Sequence, residues 1–248
     1  MTTPLADRLA SRWRLAQMST EPDQLRLESG DARDYDALAP YHYRAGPPAT
    51  SCEIRRAVLD HELVGVLVVA YPTLNATWRD AAWPEFLKVA PPASDRRERA
   101  LYLNAHLRTI ARVIVEPRCR GMGIARRLVA SYLKDPVTPL TESIASMGAF
   151  CPFFERAGMR EIHRPPTRAS VRLAQRLDVL GVKPWTLADP ARRSRSLARP
   201  AIREAIRDWA LAHRSFTRLA REPSTPLDDI ALKAVSAIVA PARVYVSP

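Results

Sequence analysis

The chain has 248 residues, a formal net charge of +12 and 47% apolar residues, enough to bury a sizeable core and too apolar for a disordered polymer. No uninterrupted apolar run approaches the roughly 20 residues of a membrane helix, the longest being Leu63 to Ala70, so no membrane association is expected. Three widely spaced cysteines (Cys52, Cys119, Cys151) and five scattered histidines form neither a disulfide framework nor a metal-ligand pattern, which points to a reducing, cytoplasmic setting and no metal.

The first 21 residues carry Leu5, Leu9 and Trp13 at helical spacing among arginines, an N-terminal helical extension rather than a secretory signal. Gln24 to Glu28 reads as a strand. Asp31 then caps a helix running to Tyr43, which Gly46-Pro47-Pro48 ends. Cys52 to Leu59 and Glu62 to Tyr71 form a hairpin turning at Asp60-His61, and the second strand is apolar enough to be covered on both faces. From Pro72 to Arg99 regular patterning dissolves into Trp78, Trp83, several prolines and a charged run. That long connection reads either as an acceptor-binding wall or as a tryptophan-pinned surface loop.

His106 to Glu116 is the next strand, and it feeds the segment on which the chain turns. Val113, Ile114 and Val115 are β-branched; Pro117 ends the strand; Arg118-Cys119-Arg120-Gly121-Met122-Gly123 follows; and Ile124, Leu128 and Tyr132 recur at helical spacing. Glycines let backbone N–H groups converge on one point, and a helix start adds unpaired donors and partial positive charge. An anion is the natural occupant. No Gly-Lys-Ser/Thr follows, so this is not a Walker loop, and Arg126 stands where a dinucleotide fingerprint requires its third glycine. Leu140 to Met147 is a weaker strand. Pro152 opens a short helix, Gly158 stops it, and Met159 to His163 starts another strand.

Arg120-Gly121-Met122-Gly123-Ile124-Ala125 resembles the R/Q-x-x-G-x-G/A signature of the GNAT superfamily of acyl-CoA-dependent N-acyltransferases. Pro152 to Met159 is similar to the short helix and following glycine that such proteins carry after their next strand, and also to GNAT-like domains attached to ABC-type ATPases. The resemblance covers roughly residues 22 to 166. It implies an α/β fold with a GNAT-like mixed β-sheet flanked by helices, an acyl-CoA, most simply acetyl-CoA, as acyl donor, and an amine acceptor. Cofactor contacts fall on Val113, Val115, Arg118, Arg120, Gly121, Met122, Gly123, Ile124 and Ala125. Candidate catalytic groups are Glu116, His106 and Cys151, with Glu142 a further base. The family often places a tyrosine where Phe154 stands, and phenylalanine has no proton to give a departing thiolate.

Residues 167–248 lie outside the resemblance and form a basic, mainly helical extension, with 15 Lys and Arg against 7 Asp and Glu from Arg168 onward. Residues 242–248 have the look of a strand that could return to the sheet. Pro200 to Arg221 reads as one helix, on which Arg203, Arg207, Arg214, Arg218 and Arg221 share a stripe about 27 Å long. Such a stripe suits tracking phosphates, so the alternative to an enzyme is a non-catalytic GNAT-like adaptor binding nucleic acid.

Overall fold

The computed structural model describes residues 24–43, 46, 48–222 and 225–247; the predicted N-terminal helix lies outside them. Contacts divide the chain into a sheet unit, the residues up to Ile162 together with those from Val244 onward, and a helical unit, His163–Arg243.

The sheet unit is α/β. Its seven strands are β1 (Leu25–Ser29), β2 (Ser51–Leu59), β3 (Glu62–Ala70), β4 (Leu107–Val115), β5 (Leu140–Ala145), β6 (Arg160–Ile162) and β7 (Arg243–Val246), in the spatial order β1-β2-β3-β4-β5-β7-β6. β4 and β5 pair in parallel, while β1 through β4 and the β6–β7 pair are antiparallel. Asp60 and His61 hold φ of 47° and 66°, the left-handed values a two-residue hairpin turn demands. The chain's last strand enters the sheet between β5 and β6, where Ser247 N–H donates to the Thr141 carbonyl at 2.7 Å.

Helix α1 (Ala32–Leu38) starts on a capping box in which Asp31 accepts from the Arg33 and Asp34 amides while Asp34 accepts from the Asp31 amide. It is shorter than the predicted run to Tyr43, because Pro40 supplies no N–H and the chain tightens into a 3-10 turn over Ala39–Tyr41. Its Tyr35 and Leu38 pack on one face of the sheet with Val66, Val68 and Ile114.

The connection from Pro72 to Arg99, read as unpatterned, contains α2 (Arg79–Ala82), α3 (Pro84–Lys88) and the first residues of α4 (Arg96–His106), the last capped by Asp95. His106 therefore ends a helix rather than beginning β4. Trp78 is buried and its indole Nε1 donates to Glu142 at 3.0 Å, so the connection is pinned by a tryptophan. A second pin was not expected from sequence. Arg79, 2% exposed, donates from Nε and Nη2 to both oxygens of Glu142, 1% exposed, at 2.9 and 2.6 Å, and from Nη1 to the Thr73 carbonyl.

Helix α5 (Ile124–Lys134) covers the opposite face of the sheet, burying Ile124, Leu128, Val129 and Tyr132. It can approach because Gly65 has no side chain. A Cβ there would stand 3.0 Å from Ile124 Cγ2 and 3.1 Å from Leu128 Cδ1. Arg55 of β2 reaches under the far end of α5 and donates to the carbonyls of Ser131 and Asp135, capping it with a cation. Short α6 (Phe153–Arg156) stops at Gly158, whose φ of 101° suits glycine.

The helical unit comprises α7 (Arg168–Val179), α8 (Pro190–Leu197), α9 (Pro200–Leu211), α10 (Arg214–Arg221) and α11 (Asp228–Val239) around its own apolar core, which includes Leu173, Leu177, Leu187, Ile202, Ile206, Trp209 and Ala231. The single helix predicted over Pro200 to Arg221 is two helices. His213 is extended, its ring Nδ1–H donates to the Trp209 carbonyl at 2.7 Å, and its own carbonyl starts α10 by accepting from the Thr217 amide. The break places Phe216 and Ala220 on the unit's core. No helix of the described residues is long and apolar enough to cross a membrane.

Candidate active site

The site begins where two parallel strands part. β4 and β5 stay in register only from Leu107 opposite Leu140 to Ile110 opposite Ser143. At that point β4 carries a bulge: Val69 pairs with Ile110 and Val68 with Arg112, leaving Ala111 as the extra residue. A bulge bends its strand and interrupts the ladder. The consequence is a cleft of about 430 Å³ whose walls are Ala111 to Val115 on one side and Ser143 to Met147 on the other. Arg120, Ala125, Cys151, Phe153, Phe154, Tyr41, His42 and Tyr43 also line it.

The glycine loop lies at the end of β4. Glu116 caps a 3-10 turn over Pro117–Cys119, which leads into Gly121 (φ 91°) and Gly123 (φ 77°). In this turn the Cys119 amide donates to the Glu116 carbonyl at 2.9 Å, and the Arg120 and Met122 amides make longer bonds of 3.4 Å to Pro117 and Cys119. Gly123 is the residue before α5, so no side chain folds back to cap that helix. Among the described residues nothing accepts from the amides of Gly121, Gly123, Ile124, Ala125 or Arg126. A Cβ on either glycine would meet no atom within 4 Å, so both glycines border open space.

The predicted cofactor residues are thus brought together, with one difference in their charges. Arg120 is exposed and bridges the Val115 carbonyl (3.3 Å) and the Tyr41 carbonyl (3.4 Å), tying the loop to the segment after α1. Arg118 instead donates to Glu116 at 2.8 Å and approaches Glu62 at 3.7 Å, and the bond to the Glu116 carboxylate holds its guanidinium pKa above the ordinary arginine value. Among the described residues Arg126, exposed in the first turn of α5, makes no ion pair; sequence reading used it only to exclude a dinucleotide motif.

The predicted catalytic residues are scattered. Glu116 is buried and committed to the Arg118 amide and guanidinium. His106 sits outside the cleft, beside the stacked rings of Phe86 and Tyr102, with Nδ1 2.8 Å from the Tyr102 carbonyl. Glu142 accepts from Trp78, Arg79 and Thr109, all structural bonds. Only Cys151 lines the cleft. Cys119, beside the loop, is 1% exposed, and burial, assisted by the nearby Glu116 carboxylate, pushes its thiol up to about 11. Phe154 is buried and stacked on Tyr245 with ring centroids 5.1 Å apart. Sequence reading missed His42 and Arg112 as cleft residues, because only the α1 connection and the bulge bring them there.

In the helical unit the five arginines no longer form one stripe. Arg203 and Arg207 belong to α9, and Arg214, Arg218 and Arg221 to α10. The acidic residues between them, Glu204 and Asp208, both pair with Arg176 of α7. No cluster of three His, Cys, Asp or Glu residues able to hold a metal occurs among the described residues.

Neither a protein-family model nor a curated protein matches the chain significantly. Among solved structures, nourseothricin acetyltransferase is similar at 14% identity and TM-score 0.31, over 56% of this chain and 84% of that one. An acetoin utilization protein from Exiguobacterium sibiricum is similar at 14% identity and TM-score 0.31, over 55% of this chain and 60% of that one. Likeness at this level says nothing about chemistry, which has to come from the cleft.

Proposed function

We propose that the sheet unit is an acyl-CoA-dependent N-acyltransferase, with acetyl-CoA as the simplest donor. The observation that carries this reading is the set of acceptor-free amides at Gly121 and Gly123 through Arg126, beside a cleft between diverging parallel strands. Convergent N–H groups at a helix start suit a pyrophosphate. The edge of β4 along Val113 and Val115 suits the amides of a pantetheine arm, which would add to the sheet as a strand does. The thioester then lies in the split near Ala111.

Transfer forms a nitrogen–carbon bond from the acceptor's lone pair to the thioester carbon, and the carbon–sulfur bond breaks with its electron pair leaving on sulfur. His42 is the one imidazole lining the cleft among the described residues, and we assign it the proton lost by the amine. The proton ends on the coenzyme thiolate. A thiol has an ordinary pKa of about 8.5, so it departs readily as the anion and needs little help from an acid. Phe154 in place of a hydroxyl therefore does not prevent turnover; Cys151 and water at the open mouth can return the proton.

Calorimetric titration with acetyl-CoA tests the reading. The wild-type chain should bind one equivalent, and Gly123→Trp should abolish binding, since a side chain at φ 77° strains the turn that presents the amides. Absence of binding to the folded wild-type chain would overturn it.

A further inference from the structure

The cleft carries a charge that the acyl-transfer reading, on which this inference rests, leaves unused. Arg112 follows the bulge in β4 and pairs across the sheet with Val68, which places it on the face covered by α1, opposite to α5. Its guanidinium makes one hydrogen bond, from Nη1 to the carbonyl of its neighbour Ala111 at 2.8 Å. Its Nε is sealed from solvent without an acceptor. The buried arginines elsewhere are better served: Arg79 by Glu142, Arg193 by Asp228 and two carbonyls, and Arg108 by two carbonyls and the face of the Tyr71 ring. Arg99 and Arg108 also keep an unmatched Nε, yet neither lines the cleft.

Around Arg112 the lining is one-sided in charge. Arg112 and Arg120 line the cleft and no carboxylate does, among the described residues. A polycationic acceptor would meet no counter-ion there. An anion would find planar donors one residue from the bulge where the thioester is placed.

We propose that Arg112 is a specificity-determining residue that holds a carboxylate of the acceptor, so that the amine acylated belongs to an amino acid or a similar small molecule with its carboxylate a few bonds from the nitrogen. The carboxylate accepts from Nη2 of Arg112, the guanidinium nitrogen that is neither sealed nor bonded among the described residues, and the adjacent amine is thereby aimed at the split.

Amino acids and their carboxamides separate this from other amines, because the carboxamide keeps the nucleophile and loses only the anion. With acetyl-CoA saturating, release of coenzyme thiol is followed for glycine, phenylalanine and methionine, their carboxamides, and a diamine. Where turnover is too slow, binding of the same compounds to the CoA-loaded protein is titrated instead. The acids should exceed the carboxamides by about ten- to a hundredfold. Arg112→Gln should bring that ratio to about one with acetyl-CoA binding intact, and Arg112→Lys should restore part of it. A wild-type ratio near one, a preference for the diamine, or a ratio that survives Arg112→Gln overturns the proposal. So does a loss of succinyl-CoA binding in Arg112→Gln with the acceptor ratio unchanged, which would assign the carboxylate to the acyl group. Failure of the wild-type chain to bind acetyl-CoA sinks the acyl-transfer reading itself and is seen separately, in the titration without acceptor.

Discussion

The sheet unit and the helical unit treat buried polarity in different ways. In the helical unit Arg193, the buried arginine, donates to the Leu187 and Ala188 carbonyls and to Asp228, and Trp209 Nε1 finds Ser170 at 3.1 Å. Its core is otherwise apolar. The sheet unit contains an equally complete arrangement at Arg79–Glu142, but a short distance along the same strands it leaves loop amides without acceptors and the Arg112 guanidinium with one carbonyl and an unmatched Nε. A buried donor left unmatched lowers stability. Among the described residues of the sheet unit, Trp83, Arg99, Arg108, Tyr132 and Thr141 also keep a buried unmatched atom, and Arg112 is the one of this set that lines the cleft, where a ligand would reach it.

The largest effect expected from this contrast is at the ion pair that pins the Pro72 to Arg99 connection. Glu142→Ala leaves Arg79 buried without its partner and should lower unfolding stability by about 3–5 kcal/mol in denaturant titrations. Replacing both residues with apolar ones of similar volume should recover much of the loss. Next comes the seat of α5: Gly65→Ala forces Ile124, Leu128 or the Ile114 carbonyl to move and should cost about 1–3 kcal/mol, with acetyl-CoA affinity falling as the loop shifts.

A smaller effect belongs to Cys119. Its folded-state pKa of about 11 is raised above the ordinary 9.0, so the fold favours the protonated thiol. The stability contributed is whole below pH 9, and it declines as the pH rises through 11. Thiol labelling near neutral pH should accordingly modify exposed Cys52 and Cys151 well before Cys119. The least effect is expected in the helical unit, at Asp228→Asn. The Asp228 side chain is 55% exposed and Arg193 keeps its two carbonyls, so melting should change by about 1 kcal/mol or less. A loss as large as that of Glu142→Ala would erase the contrast between the units.

What sequence reading captured was local. The β-branched run, the two left-handed glycines and the periodic apolar face of α5 are encoded within some twenty residues, as are the Asp60-His61 turn and the Gly158 stop. What it missed depended on partners far along the chain. Glu142 reads as a candidate base until Arg79, 63 positions earlier, is seen beside it. His106 reads as a strand residue because α4 is charged and buries only Leu103, leaving little periodic signal. Arg112 looks like an ordinary strand residue, since the bulge that sets its face is a property of the pairing with β3 and not of its own neighbours. The continuous helix drawn from Pro200 to Arg221 failed at His213 because apolar spacing persists across a bend when both pieces pack on one core.

The central claim is most directly tested by a crystal structure of the chain with acetyl-CoA. The account predicts pyrophosphate oxygens within about 3 Å of the amide nitrogens of Gly121, Gly123, Ile124 and Ala125, and the thioester in the split between β4 and β5. A coenzyme bound elsewhere, with those amides still facing solvent, would contradict it.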